Sequence, residues 1–143
     1  MGRPLWALSG HEEHGPEFDL ETTAQWQIRD AVRTLLAPDT GVLVEDAVLV
    51  VDEMVANALE HGSAPWRCRL TVRADPARLR VEVDDSGPGE PRLRTPDVDG
   101  GRGLLVIDRL ASSWGVSRYV RFKTVWAELP LDRPHLPPVT AAP

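Results

Sequence analysis

The stretch LVEDAVLVVDEMVANALEHG, Leu43 to Gly62, decides the fold. Val44, Val48, Val51, Val55 and Ala58 recur at three- and four-residue steps, which is one face of a helix. The pattern predicts a helix over Leu43–His61, with Gly62 where a C-terminal cap belongs. Glu53, Asn57 and His61 are spaced four apart and form a second stripe beside the apolar one. A carboxylate one turn from a carboxamide can do two jobs: the carboxylate accepts a proton, and the amide oxygen ligates a hard cation such as Mg2+. Taken alone, the same stripe is also what an ordinary solvated helix face looks like.

Upstream, Thr22 or Thr23 is placed to cap a helix running to about Ala37, with Trp26, Ile28, Val32 and Leu35–Leu36 on its apolar side. Pro38, Asp39 and Gly41 break it. Phe18 and Leu20 alternate with polar neighbours as in a short edge strand. Downstream, Cys68, Leu70 and Val72 alternate with Arg and Thr, and Leu79, Val81 and Val83 alternate with Arg, Glu and Asp. With Asp75–Pro76 at the turn, this predicts a hairpin with one buried face. A third helix is expected from about Gly103 to Ser112, then strands near Val116–Phe122 and Lys123–Leu129. Sequentially paired strands with helices over one face make a two-layer α+β sandwich around a mixed, mainly antiparallel sheet. The expected organisation is a loose arm over 1–16, one domain over 17–130 and a tail over 131–143 in which prolines recur.

At 143 residues, with 42% hydrophobic and 27% charged residues, the chain has the make-up of one globular domain. A net charge of −6 gives nucleic-acid binding little to build on. There is no run of apolar residues long enough for a membrane span and no signal-peptide pattern, so a cytoplasmic protein without a membrane partner is expected. The one cysteine, Cys68, cannot form an internal disulfide, which suits a reducing compartment. His11-Glu12-Glu13-His14 is one residue short of the HExxH zinc signature. GxxxxGK[ST], HRD and DFG are all missing, which excludes a P-loop and the ordinary protein-kinase fold.

Two further segments carry chemistry. Asp85-Ser86-Gly87-Pro88-Gly89 ends the second hairpin strand. Strand parity turns Asp85 to the same side as Leu79, Val81 and Val83, towards the core. A carboxylate there can accept a hydrogen bond from an exocyclic amine such as adenine's, and glycines let backbone approach a flat ring closely. The 16 residues Ser86–Gly101 hold four Gly and three Pro, and a structureless segment of that length in a small domain is usually functional. Gly100-Gly101-Arg102-Gly103-Leu104 then opens the third helix, whose free N–H groups and positive dipole end suit phosphate oxygens, with Arg102 able to add charge.

The three segments VDEMVANALEHG, DDSGPG and GGRGL resemble, in order and spacing, the N, G1 and G2 boxes of the GHKL superfamily of ATP-binding folds, which includes gyrase, Hsp90, histidine kinases and MutL. EHG in the first box, GRGLLVIDRLASSWGV in the third and KTVWAEL in the last strand look like the anti-sigma-factor kinase branch, the SpoIIAB and RsbW group. The resemblance covers about Phe18 to Leu129. It implies a Bergerat-type sandwich with ATP and Mg2+ between helices and sheet. Glu53 matches the general base and Asn57 the Mg2+ ligand. Asp85 matches the acid that reads the adenine amine, so GTP, which carries a carbonyl there, is expected to bind poorly. Gly87 and Gly89 match the G1 glycines. Gly101, Arg102, Gly103 and Leu104 match the G2 segment, and Ser86–Gly100 the lid. Thr124 matches a last-strand Thr that supports the adenine-binding Asp, more loosely, because Phe122 stands where a Gly often precedes.

The activity implied is protein serine/threonine phosphorylation by an anti-sigma factor. The partners implied are a sigma factor and a small antagonist protein, and a homodimer is allowed. A second reading is an ATP-dependent partner-binding module without transfer chemistry. A third is a stand-alone ATPase or a histidine-kinase fragment.

Overall fold

The computed structural model describes residues 15–37, 42–73, 77–87 and 102–131. In chain order these form β1 (Glu17–Asp19), α1 (Gln25–Leu35), α2 (Val42–His61), β2 (Arg67–Arg73), β3 (Arg78–Asp85), α3 (Arg102–Leu110), β4 (Ser113–Arg118) and β5 (Lys123–Pro130). The five strands make one sheet in the order β1-β2-β3-β5-β4, and every neighbouring pair is antiparallel. The expected mixed sheet is therefore replaced by an all-antiparallel one among the described residues. Both expected hairpins, β2-β3 and β4-β5, form, and the one non-sequential pair is β3 with β5, which sets β5 between β3 and β4. The burial of each strand gives the reason. β5 alternates buried side chains along most of its length, whereas β4 has none buried, so β5 takes the interior position and β4 the edge.

One side of the sheet is apolar. Cys68, Leu70 and Val72 of β2, Leu79, Val81 and Val83 of β3, and Val125, Ala127 and Leu129 of β5 are all buried there. Cross-strand partners such as Val83↔Val125 and Leu79↔Leu129 lie in register. Burial pushes the Cys68 thiol up to about 12. The helices supply the second layer. α2 buries Val44, Ala47, Val48, Val50, Val51, Met54, Val55 and Ala58. That arc is wider than the predicted stripe because α2 also packs against both α1 and α3.

The other side of the sheet carries ion pairs in place of a third layer. Arg69 holds Glu82 and, through two hydrogen bonds, Asp84. Arg80 bridges Glu82 and Glu128 and lies over the Trp126 ring, 4.6 Å from its centroid. Burial works to raise the Glu82 carboxyl, but hydrogen bonds from Arg69 and Arg80 outweigh it and hold it below the usual range.

Several local expectations shift. Ala24, not Thr22 or Thr23, is the N-cap of α1, and its N–H donates to the Gln27 side chain at 2.9 Å. Trp26, expected on the apolar side of that helix, is 62% exposed because it lies about half a turn from Ile28 and Val32. The last hairpin turns earlier than expected, with the Tyr119 N–H donating to the Phe122 carbonyl and the two rings stacked at 4.6 Å. The Asp75–Pro76 turn, His11–His14 and most of the tail lie outside the described residues. No helix among the described residues is long and apolar enough to cross a membrane.

Candidate functional site

α2 runs between its two flanking helices and ends on the sheet at the last residue of β3. Glu53 and Asn57 lie one turn apart on it, both half-buried, while His61 at its end is exposed beside Glu60. Their neighbour Asp52 belongs to the fold: Arg29 and Gln25 of α1 donate to its carboxylate at 3.0 and 3.1 Å, which pins α1 to α2.

Asp85 points to the core side, as parity requires, and is 3% exposed. Three contacts hold it. The Gly87 N–H donates to Oδ1 at 2.7 Å, closing a turn typical of Asp. Lys123 Nζ donates to the same oxygen at 3.0 Å and to the Gly87 carbonyl at 3.3 Å. The third contact is steric. A Cβ placed on Gly62 would lie 2.5 Å from Asp85 Cγ and 2.7 Å from its Oδ1. Gly62 has no left-handed φ, and its N–H donates to the Ala58 carbonyl at 2.8 Å, continuing the helical pattern. The glycine expected as a C-terminal cap is there because only a residue without a side chain lets the helix end rest on the carboxylate.

The junction is clasped from the loop after α2. The Ser86 N–H donates to the Ser63 carbonyl at 2.9 Å, and the Ser86 hydroxyl reaches the Ser63 and Ala64 carbonyls. Trp66 Nε1 donates to the Ala58 carbonyl at 3.0 Å. Hydrogen bonds and Gly62 thus fix the end of β3 against the end of the helix that carries Glu53 and Asn57. Ser63 carries no distinguishing signal in the sequence, and Ser86 stands out there only as part of the glycine-rich segment that follows Asp85.

Two expected assignments change. Thr124 does not support Asp85. Its hydroxyl donates to Asp84 Oδ1 at 2.7 Å, on the far side of the sheet. Register explains this: Thr124 pairs with Asp84 and Lys123 with Asp85, so Lys123 is the β5 residue that meets the core-side carboxylate. The parity that turns Asp85 inward also turns Lys123 inward, since Val125, Ala127 and Leu129 share its face; that signal was present in the sequence. Leu104, expected at the ligand, has its side chain in the core at 4% exposure, because with Ile107 it forms the buried face of α3. α3 begins at Arg102, as the glycine-punctuated segment implied. Gly89 and Gly101 lie outside the described residues, as does nearly all of Ser86–Gly100.

The residues present suit a nucleotide with its metal. The Asn57 carboxamide offers a hard oxygen on a half-buried face, and no group of three or more His, Cys, Asp or Glu side chains gathers as a metal site among the described residues. A cation here would draw most of its ligands from phosphates and water, as Mg2+ commonly does. A separate groove of about 620 Å3 between β1 and α1, lined by Phe18, Trp26 and Leu35 among others, contains none of these residues.

A family model described as the histidine kinase-like ATPase domain matches residues 18–127. Solved structures similar to the chain include the histidine kinase domain of the Erythrobacter litoralis EL346 blue-light activated histidine kinase, at 21% identity and a TM-score of 0.48, over 75% of this chain and 59% of that one. Another structure of that kinase matches at 24% identity and a TM-score of 0.46, over 74% of this chain and 40% of that one. The histidine kinase domain of the E. coli osmosensor EnvZ matches at 18% identity and a TM-score of 0.40, over 94% and 96% of the two chains. The chain thus spans 59% and 40% of the two blue-light kinase chains. No curated protein matches it.

Proposed function

The chain belongs to the histidine kinase-like ATPase family, and we propose that it binds ATP with Mg2+ and acts as a cytoplasmic anti-sigma factor that phosphorylates a serine or threonine of a small antagonist protein. The observation that supports this reading best is the junction at Gly62. It seats the carboxylate suited to an exocyclic amine against the helix that carries an acid and a carboxamide one turn apart.

In this reading Asp85 takes the amine of the base, and the glycine-flanked start of α3 takes phosphate oxygens on its N–H groups. The Asn57 carbonyl oxygen would hold Mg2+, which when bound neutralises phosphate charge. Glu53, on the same stripe, accepts the proton of the incoming hydroxyl. Phosphoryl transfer asks little more of a protein than positioning and charge stabilisation.

The test is paired: nucleotide titration and single-turnover phosphorylation of the antagonist, for Glu53→Gln and Asn57→Ala. Loss of a general base costs about 10²- to 10⁴-fold in rate, so Glu53→Gln is expected to lose transfer while keeping nucleotide binding. Asn57→Ala is expected to weaken both. Transfer by Glu53→Gln at the parent rate would remove Glu53 as the base. No transfer by the parent protein, together with nucleotide-dependent partner binding, would establish the silent partner-binding module instead.

A further inference from the structure

We propose that Lys123 is the positioning residue on which the base specificity of this site depends: by pairing with one oxygen of Asp85 it keeps the carboxylate a pure acceptor, which admits the C6 amine of ATP and excludes the C6 carbonyl of 6-oxopurine nucleotides. The proposal rests on the nucleotide-binding reading above. It goes beyond that reading by assigning the discrimination to a residue that the structure directs at Asp85 and Gly87, not at a base.

Lys123 Nζ donates to Asp85 Oδ1 at 3.0 Å and to the Gly87 carbonyl at 3.3 Å. The two side chains of the pair are 6% and 4% exposed. Register sets them together: Asp85↔Lys123 ends the pairing of β3 with β5, and the inward pairs before it, Val83↔Val125, Val81↔Ala127 and Leu79↔Leu129, are all apolar. An apolar residue at 123 would continue that series. Nor is a buried ion pair a dependable source of stability, since desolvating two charges offsets much of their attraction. Packing therefore does not call for the ammonium.

What the ammonium fixes is the hydrogen-bonding character of Asp85. Oδ1 accepts from both the Gly87 N–H and Lys123. Among the described residues no donor reaches Oδ2, so this oxygen is left to accept from a ligand. A buried carboxylate without a counter-charge is costly enough that such a group takes up a proton. A carboxylic acid donates as well as accepts. It satisfies an amine through its carbonyl oxygen or a carbonyl through its hydroxyl, and discrimination at C6 is lost. Lys123 closes that route by compensating the negative charge where water does not reach it.

The test is calorimetric titration of the full chain and of Lys123→Met with the Mg2+ complexes of ATP and ITP. ITP carries O6 and N1–H where ATP carries the C6 amine and an unprotonated N1, and the two are otherwise the same nucleotide. The unaltered chain is expected to bind ATP at least about tenfold tighter than ITP, because a site built for one hydrogen-bonding pattern leaves polar groups unpaired against the other. In Lys123→Met that ratio is expected to fall by about fivefold or more. A purely structural role predicts a different result: a loosened site weakens both nucleotides in proportion and leaves the ratio alone.

A fall of less than about fivefold in a folded Lys123→Met would overturn the proposal. A ratio below about tenfold for the unaltered chain would also overturn it and leave nucleotide binding standing. Should Lys123→Met not fold, Lys123→Gln, uncharged but still a donor to the Gly87 carbonyl, is read by the same ratio. Failure of both variants to fold would assign the ammonium to stability and overturn the proposal. If neither nucleotide binds the unaltered chain, this proposal and the nucleotide reading fall together.

Discussion

Gly62→Ala is the sharpest perturbation of the junction between α2 and β3. At an ordinary position with a compatible backbone, glycine to alanine stabilises by about 0.4–1 kcal/mol, because the unfolded chain loses freedom. Gly62 meets the backbone condition, having no left-handed φ, but not the steric one. The new Cβ would lie 2.5 Å from Asp85 Cγ, 2.7 Å from Oδ1 and 2.8 Å from the Ala58 carbonyl oxygen. Ordinary contact begins near 3.4 Å, so the carboxylate has to retreat by about 0.9 Å. It cannot do so freely, since Gly87 and Lys123 grip Oδ1 at 2.7 and 3.0 Å. Lengthened by that much, both bonds leave the hydrogen-bonding range. Overpacking of this kind costs about 1–3 kcal/mol, which exceeds the entropic gain. Urea unfolding should therefore show Gly62→Ala less stable than the parent by roughly 1–2 kcal/mol. Nucleotide affinity should fall by about ten- to a hundredfold, the value of one hydrogen bond to a charged group. A variant as stable as the parent that binds nucleotide normally would refute the close-packed junction and its role in presenting Asp85.

Three other outcomes follow from the same geometry. Asp85→Asn exchanges one acceptor oxygen for a donor facing the base and leaves Lys123 without its counter-charge; calorimetry should show nucleotide affinity reduced by about 5- to 150-fold. In the Arg69–Glu82–Arg80 ladder, Glu82 has a folded pKa below its ordinary value, so its stabilisation is complete above the usual carboxylate pKa and is lost as pH falls through the folded value; stability measured against pH should lose part of its acid-side decline in Glu82→Gln. Cys68, buried with its thiol pushed up to about 12, should react with a thiol reagent only when the domain opens, so its labelling rate should rise with urea.

What could be read from the chain alone came from local periodicities. The three- and four-residue spacing of Val44, Val48, Val51, Val55 and Ala58 placed α2 within one residue of its observed start. Alternation in β2 and β3 turned Cys68, Leu70, Val72, Leu79, Val81 and Val83 inward and carried Asp85 with them, because successive strand residues face opposite sides however the sheet is assembled. Glu53 and Asn57 share a stripe for the equally local reason that four residues make about one helical turn. Applied to β5, parity also separates Lys123, on the inward face with Val125, from Thr124, on the ion-paired face.

The tertiary structure decided whatever depends on residues distant in sequence. β5 lies between β3 and β4 because its inward side chains need cover on both flanks, a comparison between strands that no single strand contains. The arginines and acids that read as ordinary polar alternation become a ladder only once β2, β3 and β5 are in register. Trp26 faces outward because α1 turns Ile28 and Val32 into the core. Gly62 is the clearest case. Its position after the helix suggested a cap by local rules, but its need to be glycine comes from a carboxylate 23 positions further along, brought against it by the packing of helix on sheet.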